Sequence, residues 1–65
     1  MKIKLIDIGR SHFTGEAEVK DLDGALREVK KYLLSSDVEL LEHKKNDYFV
    51  LAGFHTVGEL KIIEE

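Results

Sequence analysis

Only one segment of this 65-residue chain carries a helical period, DLDGALREVKKYLLSS from Asp21 to Ser36. Leu22, Ala25, Leu26, Val29, Leu33 and Ser36 form one stripe with Tyr32 at its edge, while Asp23, Arg27, Glu28, Lys30, Lys31 and Ser35 fill the opposite side. A rod with a single apolar stripe is half buried, so it must lie across a surface made by the rest of the chain. Asp21 is a preferred cap residue, Asp23 adds negative charge to the first turn, and Lys30-Lys31 add positive charge near the end, all in keeping with the helix dipole. Gly24 is the misfit. It costs about 1 kcal/mol relative to alanine inside a helix, unless it admits a close approach to the sheet.

Everything else is patterned as strands. Met1 to Ile8 begins with Met1, Ile3 and Leu5 on one side and Lys2 and Lys4 on the other. The phase then slips, so that Ile6 and Ile8 take the lysine side and Asp7 the apolar one; a bulge near Leu5-Ile6, or a strand apolar on both faces, accounts for this. After a Gly9-Arg10 turn, Ser11 to Lys20 places Phe13, Gly15, Ala17 and Val19 on one face and His12, Thr14, Glu16, Glu18 and Lys20 on the other. Beyond the helix come Val38 to His43, a turn from Lys44 to Asp47, Tyr48 to Phe54, and Val57 to Ile63, joined by loops too short for anything but hairpins. Gly53 and Gly58 flank the Phe54-His55-Thr56 corner, where a tight turn or bulge would use them.

With no linker, repeat or proline, residues 1–65 read as a single compact α+β domain of order ββαβββ: a five-stranded, mainly antiparallel sheet with one helix packed on one face. A helix of about 15 residues returns the chain over about 22 Å, close to the length of a strand. The third strand then runs parallel to the second and antiparallel to the first. Sheet orders 2-1-3-4-5 and 2-1-5-4-3 both satisfy this.

A chain this short buries only about 60% of its unfolded surface. Small scaffolds compensate with disulfides, metals, very good packing or oligomerisation, and the absence of cysteine removes the first. It also fits a reducing compartment. The start MKIKLIDIG lacks the apolar core of a signal peptide, and the longest apolar run falls far short of the roughly 20 residues needed to span a bilayer. The expectation is a cytoplasmic protein with no membrane partner.

The run from Tyr48 to Phe54 is the most informative about surfaces. Tyr48, Val50, Ala52 and Phe54 share one side and Phe49 and Leu51 the other, so this strand is apolar on both faces although one helix covers only one. Leu41, with Ile6 and Ile8 of the first strand, joins Phe49 and Leu51 on the second face. Ile6, Ile8, Leu41, Phe49 and Leu51 are therefore the candidate interface residues. The plainer arrangement tucks Phe49 and Leu51 under the helix and leaves Val50 and Ala52 as small exposed groups. The missing staple weighs towards association: a non-catalytic protein-interaction module whose open sheet face or edge strand forms a homodimer or docks a protein partner.

Chemistry is sparse. His12, His43 and His55 lack the spacings that gather a metal, so no metal site is expected. Thr14, Glu16 and Glu18 line one face as a solubilising row rather than an acid and base pair. GFHTVG lacks the glycine pattern and following helix of a phosphate loop, no Ser-His-Asp arrangement is apparent, and a thin core leaves little room for a deep pocket. Neither enzymatic activity nor a cofactor is expected. The alternative function is a small nucleic-acid-binding module, in which Lys2 and Lys4, with His12 and Lys20, form a basic strip beside Phe49 or Phe54-His55 as stacking rings. Against it stand Glu16 and Glu18 on the same face and a formal net charge of −3, from 10 Lys+Arg and 13 Asp+Glu.

Overall fold

The computed structural model of the chain describes residues 1–34 and 37–64. In chain order its elements are β1 (Lys2–Ile8), β2 (Phe13–Glu18), α1 (Leu22–Lys30), β3 (Val38–Lys44), β4 (Asp47–Ala52) and β5 (His55–Glu64). The strands form one sheet in the order β2-β1-β5-β4-β3, every neighbouring pair antiparallel, with α1 on one face. This is the ββαβββ arrangement, in the second of the two admissible orders. Charge and apolarity explain the choice. On β5, Leu60 pairs with Leu5 on one side and Tyr48 on the other, so that strand gains from burial at both edges. On β3, Glu39, Glu42 and Lys44 suit a strand with a free edge.

The helix is shorter than its stripe. Asp21 caps it as expected, its carboxylate accepting the Gly24 amide at 2.9 Å. At the other end the amides of Lys31, Tyr32 and Leu33 donate to carbonyls three residues back, at 3.1–3.3 Å. The coil has tightened there, and the regular helix expected to reach Ser36 stops at Lys30. Packing favours the tightening. It sets the Tyr32 ring on Phe13 of β2, with centroids 4.0 Å apart and planes 8° from parallel. It also brings the Tyr32 carbonyl against Gly9, where φ is +71° and a Cβ would lie 2.6 Å from that oxygen. Ala25 and Val29 are buried; Leu26, Tyr32 and Leu33 pack at the margin of the core. The places assigned to Ser35 and Ser36 on the helix faces fall outside the described residues.

β1 slips phase as its sequence does, one residue later than expected. Its register against β2 jumps from Leu5 opposite Gly15 to Ile8 opposite Phe13, and Asp7 adopts φ +56°. Ile6 continues the alternation of Lys2 and Lys4 and so faces away from α1. Asp7 is the extra residue, and it returns Ile8 to the core side, where it is fully buried. Ile8 is thus a core residue, which corrects its expected place beside Ile6. β5 answers with its own irregularity, the register against β4 jumping from Val50 opposite Gly58 to Leu51 opposite Thr56. The two irregularities meet. A Cβ on Gly58 would collide with Ile8 Cδ1 and lie 3.0 Å from the Asp7 carbonyl oxygen.

The core lies wholly between α1 and one side of the sheet. Ile3, Leu5 and Ile8 of β1, Ala25 and Val29 of α1, Val38, Val50 and Leu60 fill it, and among the described residues no polar or charged side chain is buried. Among the described residues none forms a layer over the other side of the sheet.

Candidate interaction surface

β4 divides its side chains between the two sides of the sheet. Val50 is fully buried beneath α1, with Tyr48 and Ala52 on the same side. Phe49 and Leu51 lie on the opposite, uncovered side and are only half-buried. The arrangement with Phe49 and Leu51 under the helix is therefore excluded.

Register fixes what surrounds them. Leu41 of β3 lies opposite Phe49, Phe49 opposite Glu59 of β5, and Glu59 opposite Ile6 of β1. The result is one row across four strands, Leu41, Phe49, Glu59, Ile6. A second row, one pleat along, reads Lys44, Asp47, Lys61, Lys4, Glu16. At the other end Leu51 stands between Glu39 and Thr56. Leu41 is 53% exposed. Phe49 is partly shielded by the His43 ring stacked on it, with centroids 4.0 Å apart. Four of the five expected interface residues, Ile6, Leu41, Phe49 and Leu51, thus share this face, and Ile8 does not.

Glu59 escaped sequence reading. It is a half-buried carboxylate on the central strand, set between Phe49 and Ile6, and among the described residues it makes no salt bridge. Its side of the sheet follows from alternation with the buried Leu60, and its neighbours from the register of β5 against β4 and β1. Ile63, 46% exposed, lies at another irregularity, where the register of β5 against β1 jumps from Ile62 opposite Ile3 to Glu64 opposite Lys2. Lys4, Lys61 and Asp47 also make no salt bridge among the described residues, whereas Lys2 pairs with Glu16 at 3.3 Å.

The histidines stand apart. His12 lies in the β1–β2 turn at φ +54°, its Nδ1 against the Asp7 carboxylate; His43 is on the open face; and His55 begins β5, exposed. Among the described residues no three metal-ligating side chains converge, and no helix is long and apolar enough to cross a membrane. A trough of about 860 Å³ runs from the open face around the sheet end, with Ile6, Phe49, Leu33 and Val57 among its walls and Asp7 and His12 at its rim. It is larger than a thin core suggests because it lies outside the core. No protein-family model, curated protein or solved structure matches the chain. The surface must be read from its own chemistry.

The face is apolar in patches and mixed in charge. The basic strip of Lys2 and Lys4 is interleaved with Glu16, Glu18, Glu59 and Asp47, and the ring best placed to stack on a base, Phe54, sits fully exposed in the β4–β5 turn rather than on the strip.

Proposed function

We propose that this protein is a non-catalytic interaction module that self-associates through its open sheet face. The observation that carries the reading is the row Leu41, Phe49, Glu59, Ile6, three large apolar groups on a sheet side over which the described residues form no layer. A second copy laid on that face would supply the missing layer, and with it the apolar burial that a cysteine-free chain of this length lacks. The two longer dimensions of the molecule, 27 and 20 Å, bound the face to on the order of 500 Å² per copy and about 1,000 Å² for a pair, at the lower end of specific interfaces. A dimer in the micromolar range fits that size. The reading includes a cytoplasmic location, with which the absence of cysteine agrees.

Alternating signs around Lys2 and Lys4 favour a protein partner over nucleic acid, whose backbone calls for a concentrated basic field. Sedimentation equilibrium from low micromolar to millimolar concentration tests the reading. The wild type is expected to dimerise across that range, and Phe49→Glu to remain folded and monomeric. A wild type that stays monomeric at every concentration ends the self-association reading.

A further inference from the structure

The pattern of charges on the open face specifies more than stickiness. We propose that two copies pack face to face about a two-fold axis running along β5, so that Lys4 faces the partner's Asp47 and Ile6 faces the partner's Phe49. This rests on the self-association reading and adds where the axis lies.

A two-fold interface is self-complementary: if one residue touches a second across it, the second touches the first. β5 is the middle strand of five, so rotation about it exchanges β1 with β4 while keeping each row in place. In the first row this lays Ile6 on the partner's Phe49, apolar on apolar. In the second it lays Lys4 on the partner's Asp47, opposite charges that make no salt bridge among the described residues. Each match occurs twice. Along the axis itself Glu59 and Lys61 meet their own copies. They are two residues apart on one strand, about 7 Å, and packed sheets lie about 10 Å apart, so each Glu59 can lean to the partner's Lys61 and each Lys61 to the partner's Glu59. The four charges neutralise as two crossed pairs. Aligned sheets cross at about 30°, so the two-fold is tilted from the mean strand direction by about half that angle, which displaces the rows near it only slightly.

Other axes do worse. Placed between β4 and β5, the axis would bring Lys61 to the partner's Asp47, but would set Glu59 on the partner's Phe49 ring and Lys4 on the partner's Lys44. Run across the strands through the Glu59 row, it would set Ile6 and Phe49 on their own copies, but would lay Asp47 on the partner's Leu51 and take Lys4 away from the partner's Asp47. A carboxylate set on an apolar side chain in a drying interface, without its counter-charge, is costly.

The test uses charge reversal and mixing. Lys4→Glu alone creates two like-charged contacts per dimer, as does Asp47→Lys alone, and each is expected to weaken association tenfold or more. Mixed in equal amounts, the two variants form a heterodimer in which Glu at 4 faces Lys at 47 and the unaltered Lys4 faces the unaltered Asp47. The mixture is expected to recover wild-type affinity to within about threefold, with native mass spectrometry finding the heterodimer mass dominant. Thermal melting confirms that each variant is folded. Should Lys4→Glu fail to fold beside Glu16, the pair Glu59→Lys and Lys61→Glu carries the same logic on the axis itself, each weak alone and restored by mixing. If the wild type dimerises but neither mixture is stronger than its components, the axis is wrong while self-association stands. A monomeric wild type removes both.

Discussion

The imidazole of His43 lies flat on the ring of Phe49, with centroids 4.0 Å apart and planes 12° from parallel. The pair reaches diagonally from β3 to β4, the edge strand lending its last open-face ring to the most central aromatic of that face. Stacked rings on neighbouring strands contribute about 0.5–1 kcal/mol beyond the area they cover. A double-mutant cycle of His43→Ala and Phe49→Ala, followed by chemical denaturation at concentrations low enough to keep the protein monomeric, should return a coupling energy of that size. A coupling indistinguishable from zero would mean that the two rings merely coincide.

Gly24 carries the opposite kind of prediction. It occupies the first turn of α1, and a Cβ placed there would lie 3.5 Å from both Asp21 Oδ1 and the Val19 Cβ, ordinary contact distances. No close approach to the sheet requires glycine. Gly24→Ala should therefore stabilise the fold by about 0.5–1 kcal/mol, through higher helix propensity and a less free unfolded chain. In a domain of this size that raises Tm by about 4–8 °C per kcal/mol. A lower melting temperature would show that the Asp21 cap cannot tolerate the added methyl.

Gly58 should behave in the contrary way. Backbone carbonyl oxygens of Asp7 and Ile6 lie 3.0 and 3.1 Å from where its Cβ would be, and the Ile8 side chain fills the same space. The Ile8 tip can rotate away, but the two carbonyls belong to the β1 bulge and cannot move without breaking its pairing with β5. Gly58→Ala should cost about 1–3 kcal/mol, the range of an overpacked core. Hydrogen exchange should locate the loss at the β1–β5 seam, with faster exchange of the Gly9 amide that donates to the Val57 carbonyl at 2.9 Å. Uniform protection with an unchanged Tm would refute the close fit.

The contrast between these glycines marks how far the sequence could be read. Period and loop length were enough for the element order, the antiparallel pairing and the two-sided character of β4, because those depend on neighbours in the chain. The sequence of β1 announced a phase slip, but its resolution depended on β5: only with Gly58 across the seam can Asp7 bulge outward and Ile8 turn back to the core. Alternation with Leu60 gives the face of Glu59, but only the register of β5 against both neighbours put it between Phe49 and Ile6. Likewise the helix stripe continued past Lys30, yet the chain tightened because Tyr32 stacks on Phe13, nineteen positions away. What was illegible was contact between distant segments.

The division between the covered and open faces can itself be measured with two leucines. Leu60 is fully buried, paired with Leu5 and Tyr48 under α1, whereas Leu41 is 53% exposed on the far side of the sheet. Truncating Leu60 to alanine removes buried methyl groups and leaves a cavity, at a cost of about 2–5 kcal/mol. At about 0.05–0.15 kcal/mol per residue the whole fold is worth only about 3–10 kcal/mol, so Leu60→Ala should remove on the order of half of its stability. Leu41→Ala, made where no layer covers it, should change monomer stability by no more than about 0.5 kcal/mol. Urea titrations of both variants at low concentration decide the matter. Equal losses at the two positions would mean that Leu41 is covered within a single chain and that the open face is not open.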